Sequence, residues 1–361
     1  MNNKDHFLTL DGFRGIAAIL VVLRHTLPYF DGNPFFSSYL SVDLFFLLSG
    51  AVLARSYEAK LQNGMPLATF IKIRLLRLYP LYFIGMCVGI IASLADALPY
   101  KGHTLAAATF GLLLLPALYT NALFPLNGPA WSLSSELIIN LLYGWKTKAL
   151  SNRVLVAIMA FCLLGLIAFT IFWPAHNFDA GFNRRTYYVS FLRVGFSFAA
   201  GVVLYRWYLR KGVVMAFSNR NAILAIIGMS LVLTASPSRS ILPVYDTLAV
   251  AVAFPLLVYA GMRFQPTGML AKLCKVLGIV SYPLYIVHSP LSELVQHGFV
   301  SATGREVSAY APLAGFVILG LLVALAWLLH HFYDEPVRKA ASAWLAKRFA
   351  SRSATKAHPA P

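Results

Sequence analysis

The chain has 361 residues, of which 59% are hydrophobic and 12% charged, about half the charged fraction of roughly 25% found in soluble domains. Its 30 Lys and Arg against 13 Asp and Glu give a formal net charge of +17. This composition excludes a soluble globular enzyme. With no basic face interleaved with aromatics on a soluble element it also excludes a nucleic-acid binder, and the positive charge falls between apolar runs, as positive-inside topology and attraction to a lipid bilayer require.

Apolar runs on the scale of a membrane crossing, about 20 residues, lie at residues 8–27, 39–55, 78–98, 105–124, 154–173, 187–209, 222–235, 243–262, 276–299 and 312–333. Ten such segments predict an all-α polytopic membrane protein. An eleventh, residues 131–145 (WSLSSELIINLLYGW), is short and carries Glu136 in its first turns. It is expected to be a polar re-entrant or partial helix, which lipid tolerates only where it is buried in protein or lines a wet cavity. The basic loops 56–77, 146–153, 210–220 and 263–275 and the tail are expected on the cytoplasmic side. That requires an even number of crossings and both termini in the cytoplasm. The first segment has no small-residue cleavage site after it and is expected to be a retained span. No period of 20 to 50 residues recurs. The expected organisation is one membrane-embedded domain over residues 1–336 and a basic, disordered cytoplasmic tail over 337–361. Cys87, Cys162 and Cys274 form no C-x-x-C and predict neither a disulfide framework nor a metal site; they read as small apolar filler.

Ionisable groups inside spans are expensive and mark functional sites. The first segment, LDGFRGIAAILVVLRHT, holds Arg14, Arg24 and His25. Arg14 and His25 are eleven residues apart, about three helical turns or ~16 Å, and project from nearly the same face. His25 is the candidate general base, because imidazole can take a hydroxyl proton and return it within one cycle; a histidine bonded to a neighbouring helix is the alternative. Arg24 points about 100° away and reads as a structural neighbour that snorkels or pairs with Asp43. The second segment, SVDLFFLLSG, adds Asp43, Ser49 and Gly50. Arg74 and Arg77, three apart, share a helix face and offer planar forks suited to phosphate, with lipid headgroups as the alternative ligand. In GPAWSLSSE, Trp131 and Glu136 straddle Ser132, Ser134 and Ser135. In SYPLYIVH, Tyr282, Tyr285 and His288 recur every three residues as a polar stripe; aromatic rings with polar tips suit sugars and membrane interfaces alike. His330, His331 and Glu335 mark the exit of the last span, where Glu335 alone is a candidate. With no serine elbow, P-loop, H-E-x-x-H or dinucleotide fingerprint, the chemistry is expected to be His-centred and intramembrane.

The motifs LDGFRGIAAILVVLRH, VDLFFLLSG, KIRLLRLYP by its R-x-x-R, PAWSLSSE, SYPLYIVH and the terminal D-E-P follow one another from Leu10 to Pro336. In this order the chain resembles the acyltransferase-3 family of bacterial membrane O-acyltransferases. The resemblance implies a ten-helix inner-membrane enzyme. Such an enzyme moves an acyl group, usually acetyl, from cytoplasmic acyl-CoA to a hydroxyl of an extracytoplasmic glycan, such as a cell-surface polysaccharide or its lipid-linked (glycolipid) precursor. It implies no permanently bound cofactor and no metal, with acyl-CoA as donor substrate. It assigns His25 as the catalytic base and Arg14, Arg74 and Arg77 as donor-binding groups. The other polar candidates, Asp43, Ser49, Trp131, Ser132, Glu136, Tyr282, Tyr285, His288 and Glu335, are read as substrate-binding or supporting residues. Among them Tyr285, His288 and the serines of the 131–145 segment are candidates to stabilise an oxyanion. Ser41 departs from the pattern, standing where a Gly is common. The same intramembrane charges would also serve a transporter or flippase for an anionic or glycan substrate, which stands as the alternative function.

Overall fold

In lipid a segment must satisfy its own backbone hydrogen bonds, and the apolar runs accordingly become helices. The computed structural model describes residues 6–30, 32 and 36–344. In chain order the helices are α1 (Leu8–His25), α2 (Ser41–Leu53), α3 (Ala59–Gln62), α4 (Leu67–Leu94), α5 (Thr104–Leu112), α6 (Ala130–Lys146) and α7 (Asn152–Phe172). They continue with α8 (Tyr187–Arg210), α9 (Asn219–Thr234), α10 (Leu242–Leu248), α11 (Phe254–Arg263), α12 (Gly268–Thr303) and α13 (Leu313–Leu329). Single π-helical turns at Ala54–Glu58 and Ala249–Ala253 join α2 to α3 and α10 to α11, and a third at His330–Asp334 continues α13. Two short strands, Ala216–Phe217 and Phe264–Gln265, pair in parallel beside the start of α1, where Thr9 Oγ1 donates to Phe264 O at 2.5 Å.

Among the described residues, seven helical stretches are long and apolar enough to cross a membrane: 36–62, 67–94, 152–172, 187–210, 242–263, 268–303 and 313–344. The chain is therefore an all-α polytopic membrane protein. Three further helices, α1, α6 and α9, have 18, 17 and 16 residues and pack among them. The expected span at 105–124 does not form. Helix α5 ends at Leu112, Leu114 adopts a left-handed backbone at φ +56°, and Pro116, Pro125 and Pro129 then remove the backbone donors a continuing helix needs. The 131–145 segment forms the short helix α6, about 25 Å long, which is not among the long apolar stretches and runs antiparallel to α4: Arg74 faces Glu136 while Phe70 faces Gly144. The C-terminal helix runs on to Trp344, so residues 337–344 are helical rather than part of a disordered tail, and 345–361 lie outside the described residues.

The seam between α1 and α12 fixes the site. The two helices run parallel in one register, with Gly12 against Cys274, Gly15 against Leu277 and His25 against His288. At Gly15 a Cβ would fall 2.3 Å from Leu277 Cβ and 2.7 Å from its carbonyl oxygen, so only glycine permits this approach. On the other side of the bundle α2 and α8 close in the same way, a Cβ at Gly50 falling 2.1 Å from Phe198 O. Helix α12 also contains Pro283 and Pro290. Pro290 has no N–H to give to Ile286 O, and Asn127 Nδ2 donates there instead at 3.0 Å. That bond ties the chain entering α6 to α12 and sets Ser132 beside Tyr285. Gly15→Ala is expected to cost about 1–3 kcal/mol, as overpacking does, whereas Gly12→Ala meets only the movable Cys274 Sγ at 3.0 Å and is expected to cost far less. Thermal unfolding in mild detergent checks this, and equal midpoints for the two variants would contradict the seam.

Candidate active site

A cavity of about 400 Å³ opens between α1, α2, α4, α6, α12 and the turn after α13. His6, just before α1, and Arg338, just after the π-helical turn that follows α13, both line it. Five permanently basic side chains reach it, Arg14, Arg74, Arg77, Lys275 and Arg338, against three acids, Asp11, Glu136 and Asp334. Two of the acids are engaged with cations: Glu136 Oε1 accepts from Arg74 at 3.0 Å and from Ser49 Oγ at 2.6 Å, and Asp334 Oδ2 lies 3.3 Å from Arg338 Nε. Arg74 is buried at 4% exposure, and its Nε has no partner among the described residues. No carboxylate lies within ion-pair distance of Arg14 or Arg77 among the described residues, and their forks remain open to a ligand. The surplus of cations over acids in a partly enclosed space is the electrostatic complement of a polyanion.

The inner end of the cavity is closed by Phe45, Ser132 and Tyr285. Tyr285 OH and Ser132 Oγ are hydrogen-bonded at 2.7 Å, and the Phe45 ring meets Tyr285 edge-on at 5.5 Å. Behind this wall the His288 ring lies 6.0 Å from Tyr285 and 5.1 Å from His25. His288 is fully buried, whereas His25, the last residue of α1, is exposed. Each imidazole has its Nδ1 against a carbonyl of its own helix, Val21 O at 2.9 Å for His25 and Tyr285 O at 2.8 Å for His288. A carbonyl only accepts, so in both rings Nδ1 carries the hydrogen and Nε2 presents a lone pair.

Of the residues expected from sequence, Arg14, Ser49, Arg74, Arg77, Ser132, Glu136, Tyr282 and Tyr285 line this one cavity. His25 and His288 stand just beyond its inner wall. Three others lie elsewhere. Asp43 is fully buried and pairs with Arg193 at 2.6 and 3.1 Å. That guanidinium also donates to Tyr39 O and Ala180 O and stacks 5.4 Å over Trp131. Asp43 and Trp131 thus belong to a buried ion-pair cluster joining α2, α6 and α8. Glu335 pairs with Lys339 at 2.8 Å at the periphery, and its neighbour Asp334 enters the cavity instead, turned inward by the π-helical turn. Arg24 does not pair with Asp43: it binds Asp179 at 2.5 Å and Phe36 O at 3.1 Å. Lys275, Arg338, His330 and Arg193 were not singled out by sequence. Lys275 and Gly278 extend the Tyr282 and Tyr285 stripe backward at helical spacing, and His330, Asp334 and Arg338 repeat every four residues, so these two groups were legible as faces. Arg193 carried no local signal, because its partner is 150 residues away. Breaking the buried pair in Asp43→Ala is expected to destabilise the fold by about 3–5 kcal/mol, while Asp43→Leu with Arg193→Met recovers most of the loss. Unfolding midpoints in detergent measure both, and a double variant no better than Asp43→Ala would refute the structural assignment.

A family model described as an acyltransferase domain matches residues 7–331. The chain is also similar to a protein of Rhizobium radiobacter named "Protein 2 in picA locus", 38% identical over 183 residues, covering 45% of this chain and 95% of that protein. No solved structure matches it. Together with the seven long apolar helices among the described residues and the cation-lined cavity between the helices, these matches show that the chain belongs to the acyltransferase-3 family and is a multi-pass membrane acyltransferase.

Proposed function

We propose that the protein takes an acyl group, acetyl being the expected one, from acyl-CoA on the cytoplasmic side. It places that group on a hydroxyl of an extracytoplasmic glycan, such as a cell-surface polysaccharide or its lipid-linked precursor. The carrying observation is the cavity itself, with five basic side chains at and inside its mouth and an inner end one side chain away from His25. The segments that hold Lys72, Lys146, Lys148, Arg210 and Lys211 carry the excess of Lys and Arg expected of a cytoplasmic surface.

In this reading the phosphates of the donor sit among Lys275, Arg338, Arg77 and Arg74, with Arg14 above them. The pantetheine arm points toward Tyr285. From Arg14 to His25 the helix rises ~16 Å, a distance an extended arm covers. The acceptor approaches from the opposite face, where His25 is exposed. His25 Nε2 removes the hydroxyl proton as the oxygen attacks the thioester carbonyl. The Tyr285 or Ser132 hydroxyl donates to the oxyanion, the C–S bond breaks, and the leaving thiolate recovers the proton from His25. Transfer is direct. Holding donor and acceptor in line supplies much of the acceleration, and no metal or bound cofactor takes part.

Purified protein in liposomes, given radiolabelled acetyl-CoA inside and alkali-deacylated surface polysaccharide outside, tests this. His25→Gln is expected to lower kcat at least about 100-fold while donor binding persists. Arg74→Ala or Arg77→Ala is expected to raise the donor KM about tenfold or more, as loss of a charge-assisted contact does. Full transfer by a folded His25→Gln protein, or passage of glycan across the bilayer without acyl donor, would overturn the reading.

A further inference from the structure

A second cavity, of about 560 Å³, opens between the α4–α5 loop and the segment that joins α5 to α6. Its volume falls within the roughly 300–1,000 Å³ of ligand clefts, and it lies at the His25 end of the bundle. Helices α4 and α12 ascend together: Tyr282 OH donates to Leu78 O, and Gly85 faces Ile286, two residues below the His288 that meets His25. Leu94, the last residue of α4, lies nine residues beyond Gly85, ~14 Å farther in the same direction. Tyr100, Lys101, His103, Tyr119, Thr120 and Asn121 supply the polar lining. Lys101 is the only permanent charge among the described lining residues, and Asp96 pairs with it. Whereas the first cavity complements a polyanion, this one sets two aromatic rings beside an amide, a hydroxyl and an imidazole. That is the complement of a sugar, whose ring face packs on an aromatic and whose hydroxyls both give and accept hydrogen bonds. The Tyr119 ring is 47% exposed and rests against Phe110 at 5.7 Å.

Long irregular segments are uncommon in a compact domain unless they carry function, and residues 113–129 are held firmly. Ala117 N donates to Leu123 O at 2.7 Å, Leu123 and Phe124 are buried, and Arg184 N donates to Asn121 O at 2.9 Å. The stretch that carries Arg184 also carries Asp179, which binds Arg24 beside His25. Past the pocket, residues 113–129 reach the wall of the first cavity. Asn127 donates to Ile286 O, and Pro129 O accepts from Ser132 Oγ at 3.0 Å. The pocket is thus tied through backbone to the base on one side and to the Tyr285 and Ser132 wall on the other.

We propose that this pocket binds uncharged sugar residues of the acceptor glycan, a few units along the chain from the hydroxyl that meets His25. This rests on the acyl-transfer reading, which brings a glycan to this face. Tyr119 and Tyr100 offer the stacking surfaces, and Thr120, Asn121 and His103 the partners for hydroxyls. A polymeric acceptor engages the pocket and the reacting site together, so binding at one raises the effective concentration at the other. Because the two are joined by rigid backbone, the pocket also governs which position of the chain is presented for transfer.

Two variants of the full chain decide the matter: Tyr119→Ala, which removes the stacking surface, and Tyr119→Phe, which keeps it. In the liposome assay Tyr119→Ala is expected to raise the KM for alkali-deacylated surface polysaccharide about tenfold, the scale of one aromatic contact. Its kcat and donor KM should stay within about twofold of the parent, and Tyr119→Phe should recover the polysaccharide KM to within about threefold. A parent-like polysaccharide KM in Tyr119→Ala, or a Phe variant as weak as the Ala variant, overturns the inference. Binding of the same polysaccharide to detergent-solubilised protein without any acyl donor separates the two readings. If parent and Tyr119→Ala bind it equally while transfer proceeds through His25, the pocket alone fails. If the parent binds it about tenfold more tightly than Tyr119→Ala yet transfers no acetyl group, the glycan site stands and the transfer reading fails.

Discussion

The backbone approach of α1 to α12 is the constraint on which the site depends. Apolar side chains confer no preference for helix over lipid, so association inside a bilayer relies on close packing and small residues. Here Gly12 and Gly15 on one helix and Gly278 on the other remove the side chains that would hold the axes apart. One register then follows along the whole seam. Asp11 and Arg14 come to the mouth beside Lys275 and Gly278, and His25 comes beside His288. A slip of one residue would rotate Arg14 and His25 together by about 100° and disperse both ends of the proposed route at once.

Charge inside the bundle divides into two populations with different physics. Arg193 gives four hydrogen bonds to Asp43 and two backbone carbonyls and stacks on the Trp131 face; desolvation is compensated locally, and the cluster joins α2, α6 and α8. Arg24 is similarly spent on Asp179 and Phe36 O. Arg14, Arg77 and Lys275 are compensated only in part, around a cavity, and Arg74 keeps its Nε free. A guanidinium left short of partners inside a membrane protein is costly, and a site that tolerates the cost is one in which an anion completes the coordination. Sequence alone presents both populations as the same anomaly, charge in an apolar segment.

That is why the sequence was informative about some residues and silent about others. Features with a local period were legible: the Arg14 and His25 face, the Arg74 and Arg77 pair, and the Tyr282, Tyr285 and His288 stripe all lie where their spacing put them, and eight of the expected residues line one cavity. Features set by tertiary contact were not. Asp43 reads identically whether it meets a ligand or Arg193. The apolar content of 105–124 satisfies a hydropathy criterion, yet Pro116 and a left-handed Leu114 break it. The polar content of 131–145 marked a short helix, but not its partners: Glu136 is met by Arg74 and Ser49 from two neighbouring helices.

The wall formed by Tyr285, Ser132 and Phe45 gives this arrangement its functional logic. An acyl thioester brought to an open, wet channel would meet water before it met a dilute hydroxyl. In the proposed reaction a hydrogen-bonded pair at 2.7 Å and an aromatic edge close the cavity short of His25, so water entering with the donor does not reach the base. His288 stands behind this barrier, and two of the barrier's members, Tyr285 and Ser132, are the hydroxyls placed to donate to the oxyanion. Exclusion of water and stabilisation of the transition state are then demands on the same residues. Tyr285 must stay packed until an acceptor is in place, and its anchors are helical backbone held by the glycine seam on one side and by the Asn127 bond to Ile286 O on the other.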